Sequence, residues 1–93
     1  MSPKEAVDVA KAYVADLFGP EGPLNIGLEE LRFDGDDRRW LVTIGFSRAW
    51  EGPQGVSRWM ERDGQPWPRT FKTIEISDDD GRILELRHWP VAA

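Results

Sequence analysis

The sequence has no cysteine. That excludes disulfides, thiolate metal sites and cysteine nucleophiles. It has a single histidine, His88, so neither a histidine dyad nor a two-histidine metal site can be assembled within one chain. No apolar run approaches the ~20 residues that a bilayer requires. Basic charge is scarce: 12 Lys and Arg against 17 Asp and Glu leave a net charge of −5, the reverse of the basic footprint of a nucleic-acid binder. The opening residues, Met1-Ser2-Pro3-Lys4-Glu5, lack the apolar stretch of a secretory signal, so a cytoplasmic address is expected. There is no glycine-rich phosphate loop, no internal repeat and no low-complexity tract. No cofactor and no metal are expected.

What remains is the composition of a folded domain. The 93 residues, 40% hydrophobic and 31% charged, fit one domain spanning 1–93. Ser2 before Pro3, with Glu5 three positions later, spells a helix start with a capping box. Gly19-Pro20 spells the stop. Between them, Ala6, Val7, Val9, Ala10, Tyr13, Val14, Leu17 and Phe18 fall on one half of the helical wheel, which predicts a helix docked by one side on a flat surface. After the break at Pro20–Pro23 the period changes from 3.6 to 2. Leu28–Phe33 predicts a half-buried strand with Leu31 and Phe33 inward. In Arg39–Arg48, Trp40, Val42, Ile44 and Phe46 share one face and Leu41 and Thr43 the other. Thr70–Ser77 carries Ile74 and Ile76 inward, and Ile83–His88 carries Leu84 and Leu86. The expected fold is α+β: one N-terminal helix packed on a four-stranded antiparallel sheet (α-β-β-β-β), one face under the helix and one wet. A long insertion separates strands 2 and 3. A domain of this size buries only about 60–65% of the surface its unfolded chain exposes. Leu41, Phe71 and Ile83, on the outward face by this alternation, want a cover.

The candidate chemistry is thin. Asp34, Asp36 and Asp37, and Asp78, Asp79 and Asp80, stand in Asp-Gly turns. If Gly81 is the sixth residue of a calcium loop, Ile76 and Arg87 occupy the two end-ligand positions, so the turns have a simpler cause: aspartate caps its own turn and glycine takes positive φ. No nucleophile-elbow pattern surrounds Ser47, Ser57 or Ser77. His88 reads as an edge residue. Glu29 and Glu30 are adjacent on a strand, which by alternation sends them to opposite faces. Glu75 and Glu85 read as cross-strand surface neighbours beside Lys72 and Arg87.

The insertion, Ala49–Pro68, is unusual. Its twenty residues hold Trp50, Trp59 and Trp67, three of the five tryptophans, interleaved with Arg58 and Arg62 and flanked by Arg48 and Arg69. Loops longer than about 12–15 residues are uncommon in compact domains, and disordered linkers are poor in aromatics. Tryptophan and arginine are the favoured hot-spot residues of interfaces. Trp59, in the polar string Ser57-Arg58-Trp59-Met60-Glu61-Arg62, is expected at the surface. For Trp50 and Trp67, an interface and a cover for the thin core both stay open. The expected contact set is Trp50, Arg58, Trp59, Arg62 and Trp67.

Residues 69–86, Arg-Thr-Phe-Lys-Thr-Ile-Glu-Ile-Ser-Asp-Asp-Asp-Gly-Arg-Ile-Leu-Glu-Leu, resemble the closing hairpin of PepSY-like domains. With Trp40–Phe46 ahead of it, the likeness covers about half the chain. The helix-then-sheet order resembles the broader cystatin-like group. The PepSY-like resemblance implies a protease-regulating role in secreted or membrane-linked proteins. The cystatin inhibitory loop Gln-x-Val-x-Gly is not reproduced at Gln54-Gly55-Val56-Ser57-Arg58, and Pro66-Trp67 sits in the same connection. Compact bacterial immunity proteins are similar in size and charge. The expectation is a small non-catalytic protein-binding or regulatory domain with a basic partner, to which an acidic chain is steered. The alternative is a small-ligand or enzymatic domain with a pocket between helix and sheet, lined by Tyr13, Trp40 and Phe46. A homodimer through the open sheet face is a third arrangement.

Overall fold

A computed structural model describes residues 1–48 and 69–88 of the chain. Helix α1, Pro3–Leu17, starts as its punctuation dictates. The Ser2 hydroxyl accepts from the Glu5 amide at 3.1 Å, and the Ser2 amide donates to the Glu5 carboxylate at 2.6 Å. Those two bonds satisfy amides that have no partner inside the helix. They also hold the Glu5 carboxyl below its ordinary range, the bond from the Ser2 backbone being the larger cause. A single 3-10 turn, Gly19–Glu21, follows. Gly22, at φ +63°, turns the chain into the sheet.

Four strands, β1 (Pro23–Asp34), β2 (Arg39–Arg48), β3 (Thr70–Ser77) and β4 (Ile83–His88), form one antiparallel sheet in the order β1-β2-β3-β4. Helix α1 packs on β1 and β2 and reaches β3. Its buried residues are the small Ala6 and Ala10 with Val14. Opposite them lie Trp40, Val42, Ile44 and Phe46 of β2 and Ile74 and Ile76 of β3, all buried. This is the α+β arrangement the periodicities predict. Phe18 closes one end of the core against Phe46, ring centroids 4.9 Å apart. At the other end the Trp40 indole N–H donates to the Asp78 carboxylate at 2.9 Å, so a large ring is buried with its polar atom satisfied.

Strict alternation fails where the ladder slips. Strand β1 begins five residues before the expected Leu28, because an extra residue lies between the pairs Leu24↔Ser47 and Gly27↔Gly45. Asn25 there takes φ +54°, a conformation asparagine tolerates. Such a bulge erases the period-2 signal over Pro23–Gly27. In β4, Glu85 pairs with Glu75 while Ile83 pairs with Ile76, which leaves Leu84 unpaired. Ile83 therefore packs on the core and Leu84 is 43% exposed, the reverse of the expected assignment for both. Leu17 and Phe33, expected inward, are 48% and 45% exposed; Phe33 instead leans its ring on Trp40 at 4.7 Å.

Both acidic turns are self-capped. Asp34 accepts from the amides of Asp36 and Asp37, and Asp80 from that of Arg82. Gly81 takes the left-handed conformation in the second turn, as expected. In the first turn Arg38, not Gly35, takes it, at φ +51°. Its guanidinium crosses to Asp78 and Asp79 at 3.1 and 3.4 Å. That contact ties the two turns together and offsets a backbone conformation that costs a non-glycine residue about 1 kcal/mol.

Candidate functional site

The face of the sheet away from the helix is not the uniformly wet surface expected. Thr43 and Thr73, a cross-strand pair, are buried and share a hydrogen bond of 2.9 Å. Glu75 is only 3% exposed. It pairs directly with Glu85 across β3 and β4, a like-charge opposition that is unfavourable by itself. Arginines resolve it. Arg87 spans both carboxylates at 3.0 and 3.1 Å, and Arg39 reaches Glu75 at 2.7 Å. Arg39 also faces Asp37 at 3.3 Å and Asp34 at 3.8 Å, while its buried Nε has no hydrogen-bond partner. Lys72 pairs with Ile44, in the row that faces the helix, so it stays out of this cluster. The network is a structural clamp over the sheet's centre.

Beside the clamp lies a cavity of about 290 Å³ lined, among the described residues, by Glu29, Glu30, Thr43 and Phe71. Its origin is a second slip in β1. Leu28 pairs with Ile44 and Glu30 with Thr43, so Glu29 is the extra residue. At a bulge two successive side chains escape the alternation. The expectation that Glu29 and Glu30 face opposite ways is therefore corrected: both residues line one cavity. The next cross-strand pair is Gly27↔Gly45, a notch with no side chain from either strand. A Cβ on Gly45 would sit 2.8 Å from the Glu29 carboxylate, 2.9 Å from the Phe71 ring and 3.0 Å from the Arg69 guanidinium. Only glycine leaves room for those three groups to converge. Arg69 donates to the Asn25 carbonyl at 3.0 Å and stands 3.5 Å from Glu29.

Sequence reasoning missed this site. The available signal was a pair of glycines inside strand-like segments, since glycine within a strand marks a bulge or a close approach. Two carboxylates fall short of the about six to eight oxygens that calcium takes. Among the described residues no group of three or more His, Cys, Asp or Glu side chains is arranged to hold a metal.

The contact set expected from the sequence, Trp50, Arg58, Trp59, Arg62 and Trp67, lies outside the described residues. His88 is exposed at the end of β4, opposite Lys72. The residues named for the alternative pocket between helix and sheet lie in the core or pack against it. Phe46 is fully buried, Trp40 is buried and bonded to Asp78, and Tyr13 packs on the same core. Among the described residues, no helix is long and apolar enough to cross a membrane. Compared with models of known families, with curated proteins and with solved structures, the chain matches none.

Proposed function

We propose that this chain is a small non-catalytic protein-binding domain, inhibitor- or immunity-like, whose contact surface is the Trp/Arg-rich connection between β2 and β3. The observation that supports this reading most is where that connection is rooted. It joins the two central strands, whose last described pair is Phe46↔Thr70, and Phe46 is fully buried against Phe18. Both roots thus stand side by side in the ladder, one of them on a buried core residue. A rigid base lowers the entropy that a binding segment loses on contact. The likeness of residues 69–86 to a PepSY-like closing hairpin favours regulation over catalysis, and the acidic balance of −5 favours a basic partner.

The test compares wild type with Trp59→Ala, both folded by circular dichroism. Iodide should quench the indoles of the insertion and spare Trp40, and the variant should lose the partner that wild type retains from its source cell. Protection of all three insertion indoles, or an unchanged set of retained proteins, would overturn the reading.

A further inference from the structure

The two edges of the sheet are finished differently. Strand β1, at one edge, is broken by two slips and holds Asn25 in a left-handed conformation. Irregularities of that kind keep an edge from pairing with another chain. Strand β4, at the other edge, slips once, at Leu84, and from Glu85 to His88 its pairing with β3 is unbroken. No described strand pairs with its outer side, which therefore presents a row of unpaired amide and carbonyl groups. Helix α1 packs on β1, β2 and β3, and β4 lies at the rim of that cover. Leu84 is 43% exposed, and Ile83 and Leu86 are only partly buried.

The side chains of β4 are sorted by face and by sign. Leu86 pairs with Ile74 in the row under the helix, while Glu85 and Arg87 pair with Glu75 and Thr73 on the other face. Both charged side chains are about half exposed. A second copy related by a twofold axis perpendicular to the sheet offers its β4 antiparallel, with helix faces on the same side, so only residues of the same face meet. Centred on Glu85, such a pairing sets that carboxylate against its own copy, beside Glu75. Centred on Arg87, it sets two guanidinium groups together. Both oppose like charges. A centre at Leu84 falls on the slip, where the ladder is irregular. Centred on Leu86, the pairing sets each Glu85 against the other copy's Arg87 and the two Leu86 side chains against each other. That register matches opposite charges on one face and apolar groups on the other.

We propose that β4 pairs with the β4 of a second copy, antiparallel and centred on Leu86, joining two four-stranded sheets edge to edge. The alternating charges act as a filter, admitting this strand in one register and repelling it in the neighbouring ones. Glu85 gains a second arginine, which further offsets its opposition to Glu75. An edge of six residues buries less than the ~1,200 Å² at which stable interfaces begin. The dimer is accordingly weak, with a dissociation constant on the order of 100 μM. This self-association goes beyond the protein-binding reading and does not involve the insertion.

Sedimentation equilibrium and concentration-dependent amide shifts of the full chain, from about 10 μM to about 1 mM, test it. A monomer–dimer equilibrium is expected, with shifts centred on Glu85, Leu86 and Arg87. Glu85→Arg removes the like-charge opposition to Glu75 within one copy and leaves Arg87 its contact with Glu75, so the variant should fold at least as well as wild type. Across the seam it sets arginine against arginine twice, and dimerisation should weaken at least about tenfold. Adding Arg87→Glu restores the alternation, and the dimer should return. A monomer at every concentration, shifts centred on β1 or on Leu41, Gly45 and Phe71, or a Glu85→Arg variant that dimerises like wild type would each overturn the proposal. A folded double variant that stays monomeric overturns the register centred on Leu86.

Discussion

At the scale of single residues, the most consequential group is Glu75. It is almost fully buried, yet it is held by two arginines of very different exposure: Arg39 is one-third exposed and Arg87 more than half. Removing one partner of a buried pair leaves uncompensated charge and costs about 3 kcal/mol or more. Removing a largely exposed partner costs about 1 kcal/mol. Arg39→Ala, which strands the buried Glu75 carboxylate with only the exposed Arg87, should therefore lower the stability read from urea denaturation by about 3 kcal/mol, and Arg87→Ala by about 1 kcal/mol. Equal losses would mean that Arg39 is not the main counter-charge of Glu75. The sequence placed Glu75 beside Glu85 correctly but read the pair as surface. Burial depends on Arg39 arriving from another strand, thirty-six positions away, and no local pattern carries that.

At the scale of elements, the helix and the first strand behave in opposite ways. Helix α1 is specified locally, by a reciprocal cap and a continuous apolar stripe. Ser2→Ala should remove about 1 kcal/mol, about 5 °C in melting temperature for a chain of this size. Glu5 should titrate closer to its ordinary value in the same variant, read by carboxyl chemical shifts. Strand β1 is specified non-locally. Its two slips are settled by pairing with β2, where Gly45 admits the Glu29 carboxylate and the Phe71 ring. Gly45→Ala should cost about 1 kcal/mol, the lower end for overpacking, because the ends of Glu29 and Arg69 can swing away more easily than the Phe71 ring. The cost should shrink when Phe71→Ala is combined with it, as expected for groups in contact. Additive losses would show that the ring is not what resists the methyl group.

At the scale of the whole molecule, one carboxylate ties the core to both hairpin turns. Asp78 accepts from the Trp40 indole, pairs with the Met1 ammonium at 3.3 Å and takes Arg38 from the opposite turn. The Trp40 bond is the largest cause holding its carboxyl below the ordinary aspartate value of 3.8. Asp80, bonded to the Arg82 amide, and Glu5 are lowered as well. A folded-state value below the unfolded one adds stability above the unfolded value. That stability is lost as the pH falls through the folded value. Urea midpoints should thus be flat near neutrality and fall below about pH 4, with a shallower fall in Asp78→Asn. An unchanged acid limb in that variant would remove Asp78 from the account. The sequence by itself determined the helix, its N-terminal cap, the existence of all four strands, the core row of β2 and the two self-capped turns. Each of those is written in spacing over a few residues, and short-range sterics and hydrogen bonding read it directly. Only the tertiary structure decided which side chains leave the alternation at the slips, and hence that Glu29 and Glu30 share a cavity, that Ile83 replaces Leu84 in the core and that Glu75 is sealed. Those outcomes come from register between strands, where one extra residue moves a side chain to the opposite face.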